Sequence, residues 1–187
     1  MLRLAAALAG LSLFASAAVH AADSWTVDPD ASELTWTVPF SGNPLPGRFL
    51  EFTSDIRFDP GDLEGSAVSI AIPITSVEAA NDEQTAELQK PDWFDAETHP
   101  MATFTADSFR SLGDDAYEAD GILTIRDQAH PVTLPFSFVI DGDTAHISGG
   151  TTIDRIDYGV GQGDWAIDDI VGFDVAIAFD LTAVRAP

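Results

Sequence analysis

The amino-acid sequence predicts an all-β protein, an antiparallel barrel of about eight strands with one short helix. Apolar and polar residues alternate at a period of two along most of the chain, as is typical of half-buried strands. Turn-forming clusters such as "DPGD" at 59–62 and "LGDD" at 112–115 separate these segments. An antiparallel sandwich fits the same pattern. Strands as long as 47–59 and 171–183 favour the barrel, because closure leaves no open sheet edge.

The first 21 residues predict an export signal. Arg3 provides a basic start, residues 4–19 are apolar, and residues 19–21 have the short side chains of a cleavage site. The run is too short for a good membrane span, although a retained N-terminal anchor is the alternative. We therefore expect a periplasmic protein in which residues 22–187 form one barrel domain.

The strands are predicted from their apolar faces. In "ELTWTV" the residues Leu34, Trp36 and Val38 share one face. The other apolar faces are Leu50, Phe52, Ile56 and Phe58; Val68, Ile70, Ile72 and Ile74; Tyr117, Ala119, Leu123 and Ile125; Val132, Leu134, Phe136, Phe138 and Ile140; and Val171, Phe173, Val175, Ile177, Phe179 and Leu181. We expect these faces to point into the barrel.

One helix is predicted from Glu78 to Gln89, since Pro91 cannot continue it. Trp93 and Phe94 follow within "LQKPDWFDAETHPMATF" at 88–104. We expect these two rings where the helix gives way to the barrel wall. There they either plug one end of the barrel or contact a ligand, because both roles need buried rings.

The composition excludes several function classes. Asp and Glu number 31 against 8 Lys and Arg, and the formal net charge is −23. Such a surface repels the phosphates of nucleic acids and does not favour anionic lipid headgroups. The chain has no cysteine, which excludes disulfides, thiolate metal sites and thiol nucleophiles.

No catalytic or metal-binding motif stands out. His99, His130 and His146 lack metal-ligand spacing, and no serine lies in a G-x-S-x-G turn. The glycines of "GVGQGDW" lack the strand-to-helix context of a phosphate-binding loop. Five aspartates within 154–169 leave calcium as an alternative to solvated loop acids, without EF-hand spacing. We predict no catalytic residue and no metal site.

Five blocks carry a family resemblance. They are "WTVDPDASELTWTV", "GRFLEFTSDIRFDPGDLEGSAVSIAI", "DWFDAETHPMATFTADSF", "YEADGILTIRDQAHPVTLPFSF" and "DRIDYGVGQGDW". In this order, from about Trp25 to Val184, they resemble the YceI-like family of bacterial periplasmic proteins. The resemblance implies a lipocalin-like barrel whose apolar channel holds a polyisoprenoid chain, such as a polyprenyl phosphate or the tail of ubiquinone. It also implies a non-enzymatic role without a cofactor.

Two positions depart from the family pattern. Many relatives have a histidine where this chain has Phe40, and an Arg-Asp pair where Gln84 and Thr85 precede Leu88. Both changes remove polar groups where a headgroup would lie. The resemblance therefore supports an apolar tail more strongly than it supports a pyrophosphate headgroup. The same blocks resemble a branch of the family found with cytochrome b561-type membrane proteins. This resemblance retains a quinone as a candidate ligand.

The candidate ligand-binding residues come from the inward strand faces and the segments around Trp93 and Trp165. Arg155 is included as the most suitable charged partner in loops dominated by acids. The set is Trp36, Phe40, Phe52, Ile70, Ile72, Leu88, Trp93, Phe94, Phe104, Leu123, Phe136, Phe138, Arg155, Tyr158, Trp165 and Phe173.

Three functions remain open from the sequence. The first is a carrier or sequestering protein for a polyprenyl lipid or quinone. The second is an acidic accessory module with a filled barrel that docks a membrane redox protein. The third is a hydrolase or calcium-dependent enzyme that uses loop carboxylates. An eight-stranded barrel is just wide enough to be filled by its own side chains or to hold one slender ligand, and the sequence does not separate these cases.

Overall fold

The computed structural model describes residues 22–187, and the predicted export signal at 1–21 lies outside them. The described chain contains eleven strand segments, one α-helix and three short 3-10 turns. The strands are β1 (Ser24–Val27), β2 (Glu33–Phe40), β3 (Asn43–Phe49), β4 (Thr53–Arg57), β5 (Ala67–Pro73), β6 (Val77–Glu78), β7 (Met101–Gly113), β8 (Ala116–Ile125), β9 (Gln128–Asp141), β10 (Thr144–Asp154) and β11 (Asp174–Arg185). The helix α1 spans Asp82–Leu88. It is neither long nor apolar enough to cross a membrane.

The eleven segments form eight barrel strands, because three strands are each broken once. The halves are β1 and β2, β3 and β4, and β5 and β6. Pairing shows this, since β1 pairs with β4 while β2 pairs with β3, and β4 pairs with β5 while β3 pairs with β6. The last strand, β11, pairs with β10 on one side and with both halves of the first strand on the other. The predicted closed antiparallel barrel of eight strands with one helix is confirmed.

The three breaks lie side by side on neighbouring strands. Across each break, the side chains that face the barrel interior change from one set of alternate residues to the other. At the break between β3 and β4, the Leu50 amide donates to the Ser76 carbonyl oxygen at 2.9 Å, outside the regular ladder. Phe49 and Phe52 therefore both pack against the core, while Leu50 is 56% exposed. The prediction of one continuous strand over 47–59 with Leu50 inward is wrong, because an irregular segment shifts side chains to the other face.

One end of the barrel is filled by an aromatic cluster. Phe58 is fully buried at its centre, and its ring centroid lies 4.6 Å from that of Phe138 and 5.1 Å from that of Tyr117. Trp25 packs edge-on against Phe138 at 5.3 Å, and its indole Nε1 donates to the Phe58 carbonyl oxygen at 2.9 Å. Edge-to-face packing of this kind makes the end a compact plug.

The other end carries the helix and the long loops. The predicted helix over 78–89 is shorter, because Glu78 pairs with Arg48 in the sheet and Asn81 caps the helix. The Asn81 Oδ1 accepts from the Gln84 amide at 2.9 Å, as expected of an N-cap. The last strand also begins later than predicted, at Asp174, while Val171 forms an isolated bridge with Phe40.

Candidate functional site

The barrel encloses an apolar cavity of about 230 Å³. Apart from Thr151 and Arg155, its lining consists of apolar and aromatic side chains. A single water needs only about 10–15 Å³ of such space, so the side chains do not fill this interior. On β9 the lining runs from Val132 to Phe138, which is about 20 Å along the strand and about 15 Å along the axis of a tilted barrel. The cavity is therefore long and narrow, with the aromatic cluster at its floor.

Thirteen of the sixteen candidate residues line this cavity. They are Trp36, Phe52, Ile70, Ile72, Leu88, Trp93, Phe94, Phe104, Leu123, Phe136, Phe138, Arg155 and Tyr158. Contact of these residues with a ligand stays a prediction.

The other three candidates lie outside the lining. Phe40 bridges to Val171, Trp165 packs at a tilt against Trp93 with ring centroids 5.3 Å apart, and Phe173 lies under the Arg155 guanidinium at 5.4 Å. Alternation with Val175 and Ile177 predicts an inward position for Phe173. The strand begins only at Asp174, so alternation does not govern that position.

Several lining residues were not among the candidates. Phe58, Ile177 and Phe179 follow the same alternation that identified their neighbours. Their position in that alternation is enough to predict that they line the cavity. Phe49 and Phe109 were harder to find. Phe49 precedes a strand break, and Phe109 follows a register shift between Ala106 and Ser108, which changes the inward phase within β7.

Trp93 and Phe94 line the cavity from the loop end, opposite the aromatic cluster. Trp93 is only 6% exposed, and Phe94 packs edge-on against Phe49 at 6.2 Å. Arg126 fixes this segment, because its guanidinium donates to the carbonyl oxygens of Pro91, Trp93 and Gly159. The two rings therefore form part of the cavity wall at its loop end.

Arg155 organises the loop that covers this end. The residue is 2% exposed, and its guanidinium donates to six backbone carbonyl oxygens. These belong to Gly172, Val160, Gly161, Trp165, Ile167 and Val171. Burial lowers the pKa of the guanidinium from its ordinary value, although an arginine remains charged. Carbonyl oxygens of the loop accept from all five N–H donors of the guanidinium. The sequence predicts a ligand or a loop carboxylate as the partner of Arg155, whereas its partners in the structure are backbone carbonyls.

Two tryptophans in the wall have indole donors without acceptors. Trp36 crosses Gly47 of the neighbouring strand, where a Cβ would overlap its ring, so the close approach requires glycine. The Nε1 atoms of Trp36 and Trp93 are buried and have no hydrogen-bond partner among residues 22–187. An unpaired buried donor is unusual in a folded protein and requires an explanation.

The Tyr158 ring lines the cavity and packs against His130. Burial raises the pKa of Tyr158 above its usual value, with a smaller effect from Asp157, and the His130 ring lies edge-on to Tyr158 at 5.0 Å. Within the described chain, no three His, Asp or Glu side chains form a group that could hold a metal ion. This holds also for the aspartates of the 154–169 loop.

Comparison with known proteins identifies the family to which this barrel belongs. The profile of the YceI-like domain matches residues 25–183, nearly all of the described barrel. The chain belongs to the YceI-like family. UPF0312 proteins from Shewanella oneidensis and Pseudomonas putida are 28% and 24% identical, over 84% and 92% of this chain and 87% and 94% of theirs. The match to the UPF0312 protein of Azotobacter vinelandii, at 27% identity over 62% of this chain, spans only 64% of that relative's length.

Solved structures that resemble this YceI-like barrel include BcnA and a polyisoprenoid binding domain. BcnA from Burkholderia cenocepacia is 30% identical and superposes with a TM-score of 0.82, over 85% of this chain and 100% of BcnA. A polyisoprenoid binding domain from Saccharophagus degradans, implicated in plant cell wall breakdown, superposes with a TM-score of 0.70 at 14% identity. That match covers 88% of this chain and 99% of the domain, and at this identity it indicates a shared fold alone.

Proposed function

We propose that this YceI-like protein is a periplasmic carrier or sequestering protein that holds a polyisoprenoid tail, of a lipid or a quinone, in its barrel. The observation that carries the proposal is the long, narrow and almost wholly apolar cavity of about 230 Å³. Pockets for compact drug-sized ligands are larger, about 300–1,000 Å³, and usually combine apolar walls with convergent polar groups. A slender hydrocarbon chain suits the narrower space.

The related fold of the Saccharophagus degradans domain supports the same ligand class, since that protein is described as polyisoprenoid binding. Burial of an apolar tail against these walls is favourable by about 25 cal/mol per Å² of surface removed from water. The proposed role is binding and transport. No residue in the cavity is assigned a chemical step.

Native extraction tests the proposal. The full chain is exported, released from the periplasm without detergent, and examined by native mass spectrometry before and after organic extraction. The expected result is a periplasmic protein with one long-chain isoprenoid bound per chain. Protein that carries no lipid and takes up none from isoprenoid-loaded vesicles would contradict the proposal.

A further inference from the structure

We infer that two glycines of the barrel wall, Gly121 on β8 and Gly149 on β10, are specificity-determining residues that set the width of the cavity at two depths. Each glycine faces inward and is covered by an aromatic ring from a neighbouring strand, so the ring lies against the wall. The inference deepens the proposed function and rests on it, because the space left beside these rings decides how long a prenyl chain can enter.

The first glycine lies on the inward face of β8. Ala119 and Leu123 line the cavity, and Gly121 alternates in phase with them. A Cβ added to Gly121 would lie 2.6 Å from Cζ of the Phe104 ring, which belongs to the neighbouring strand β7. Phe104 can therefore rest on the wall only because residue 121 has no side chain.

The second glycine lies on the inward face of β10, in phase with Ile147 and Thr151 of the cavity lining. It pairs directly with Phe136 on one side and with Phe179 on the other. A Cβ added to Gly149 would lie 2.8 Å from Cζ of the Phe179 ring. The ring therefore covers the position where any other residue would place its side chain.

The two glycines lie at different depths. Gly149 pairs with Phe136, whose ring centroid is 5.4 Å from that of Phe58 in the aromatic cluster, so Gly149 lies near the floor. Gly121 follows Tyr117 of the same cluster along β8, about 13 Å closer to the hairpin at the loop end. A chain that enters from the loop end passes Gly121 before it reaches Gly149.

A methyl group on either glycine should push the covering ring into the cavity. The backbone leaves no other room, since the same Cβ would lie 2.5 Å from the carbonyl oxygen of Thr105 at Gly121 and of Pro135 at Gly149. The displaced ring then occupies space that the ligand would fill. Each chain carbon that loses its place should weaken binding about fourfold, from about 0.8 kcal/mol per buried CH₂.

Two prenyl alcohols of different length test the inference: geraniol, with two prenyl units, and geranylgeraniol, with four. Each is titrated into delipidated wild-type, Gly121→Ala and Gly149→Ala protein, and the dissociation constants are measured by calorimetry. Gly149→Ala should weaken geranylgeraniol binding about tenfold and geraniol binding less than about twofold. The shorter chain extends about 10 Å and does not need to reach the floor of a cavity about 15 Å long. Gly121→Ala should weaken both, because it narrows the part of the cavity that both chains occupy.

Gly150→Ala is the matched control. Gly150 follows Gly149 and faces outward, and its added Cβ also meets a backbone carbonyl oxygen, that of Ile177, but no aromatic ring is among its nearest neighbours. The control therefore strains the backbone without narrowing the cavity, and it should bind both alcohols as the wild type does. A loss of geranylgeraniol binding equal to that of Gly149→Ala would show that these glycines act through stability alone.

Substitutions of the covering ring separate its effect from that of the glycine. In the double variant Gly149→Ala with Phe179→Leu the ring is gone, so geranylgeraniol binding should return to within about threefold of the wild type. Phe179→Trp enlarges the ring without adding a Cβ at Gly149, and it should weaken geranylgeraniol more than geraniol. It decides the question if Gly149→Ala does not fold.

The outcomes separate the inference from the proposed function. Wild-type protein that binds neither alcohol contradicts the proposed function, and the inference with it. Wild-type protein that binds both, while the folded glycine and ring variants keep its affinities, overturns the inference and leaves the carrier standing. Equal losses for the two alcohols in Gly149→Ala overturn the assignment of this glycine to the floor.

Discussion

At the scale of single residues, Arg155 and Gly47 have structural roles that their residue types alone do not reveal. Arg155 is a buried cation stabilised by carbonyl oxygens, with its guanidinium 5.6 Å from the Trp93 ring centroid. Gly47 leaves room for the Trp36 ring across the β2–β3 pair. Both residues stabilise an aromatic side chain that lines the cavity.

Replacing Arg155 with methionine should destabilise the protein and loosen its loop. The variant keeps an apolar stem but leaves several carbonyl oxygens without donors, each at a cost of about 1–3 kcal/mol if it stays buried. We expect the free energy of unfolding to fall by roughly 3 kcal/mol or more, with faster amide hydrogen exchange over 159–172. Arg57→Met, at an exposed position, should change stability by no more than about 0.5 kcal/mol. Equal denaturation midpoints for the two variants would show that the carbonyl contacts contribute little.

Substituting Gly47 with alanine should displace Trp36. The added Cβ overlaps the indole ring and approaches the Glu78 carbonyl oxygen, so the site becomes overpacked by about 1–3 kcal/mol. A shift in tryptophan emission and a lower melting temperature are the expected signs. Gly61→Ala is the control, since its Cβ meets only the flexible Asp59 carboxylate. A Gly47→Ala variant as stable as the control would contradict the close approach of the ring.

At the scale of elements, alternation along a strand decides which residues face the cavity, but only while the strand is regular. In β9 the even-numbered residues Val132, Leu134, Phe136 and Phe138 all line the cavity, as predicted. The three broken strands and β7 change phase along their length. The sequence carries little signal of these changes, because short breaks depend on hydrogen bonds between distant segments, such as Leu50 to Ser76.

A matched pair of acidic substitutions on β9 checks the strand phase. Phe136→Asp places a carboxylate between the rings of Phe58 and Tyr117, whose centroids lie 5.4 Å and 5.6 Å from that of Phe136. Without a partner this charge should abolish the folding transition or lower the stability by more than about 3 kcal/mol. Val139→Asp on the opposite face, where the side chain is 42% exposed, should be nearly neutral. An unchanged thermal transition in Phe136→Asp would mean that the phase is wrong.

The fold was more predictable than the site. Regular alternation identified the barrel and seven residues of the cavity lining, and the segments around Trp93 and Trp165 supplied six more. The bonding of Arg155 was not predictable, because its acceptors are backbone carbonyls spread over 160–172, and any residue type supplies a carbonyl. The unpaired indole donors were hidden for the same reason, since pairing depends on the fold around each ring.

At the scale of the whole molecule, a carrier differs from a solid barrel in having unfilled space inside the barrel. Ile72→Trp adds a large ring to the cavity wall, so bound isoprenoid should be lost while ligand-free protein keeps its melting temperature. In a filled core the same change would cost roughly 1–3 kcal/mol through overpacking. Ser69→Trp, exposed on the outward face of β5, is the control and should retain ligand. A large loss of stability in lipid-free Ile72→Trp protein that never carried lipid would refute the carrier.

The closure of the barrel by its two terminal strands also governs the order of folding. Trp25 pairs with Arg185, so the contact joins residues 160 positions apart (185 minus 25). Contacts of such long sequence separation require a costly loop closure and make folding slow. A growing chain cannot enclose the cavity until β11 has been synthesised. Folding of the ligand-holding barrel therefore cannot begin at the first strands and follow the ribosome strand by strand to a closed state before β11 emerges.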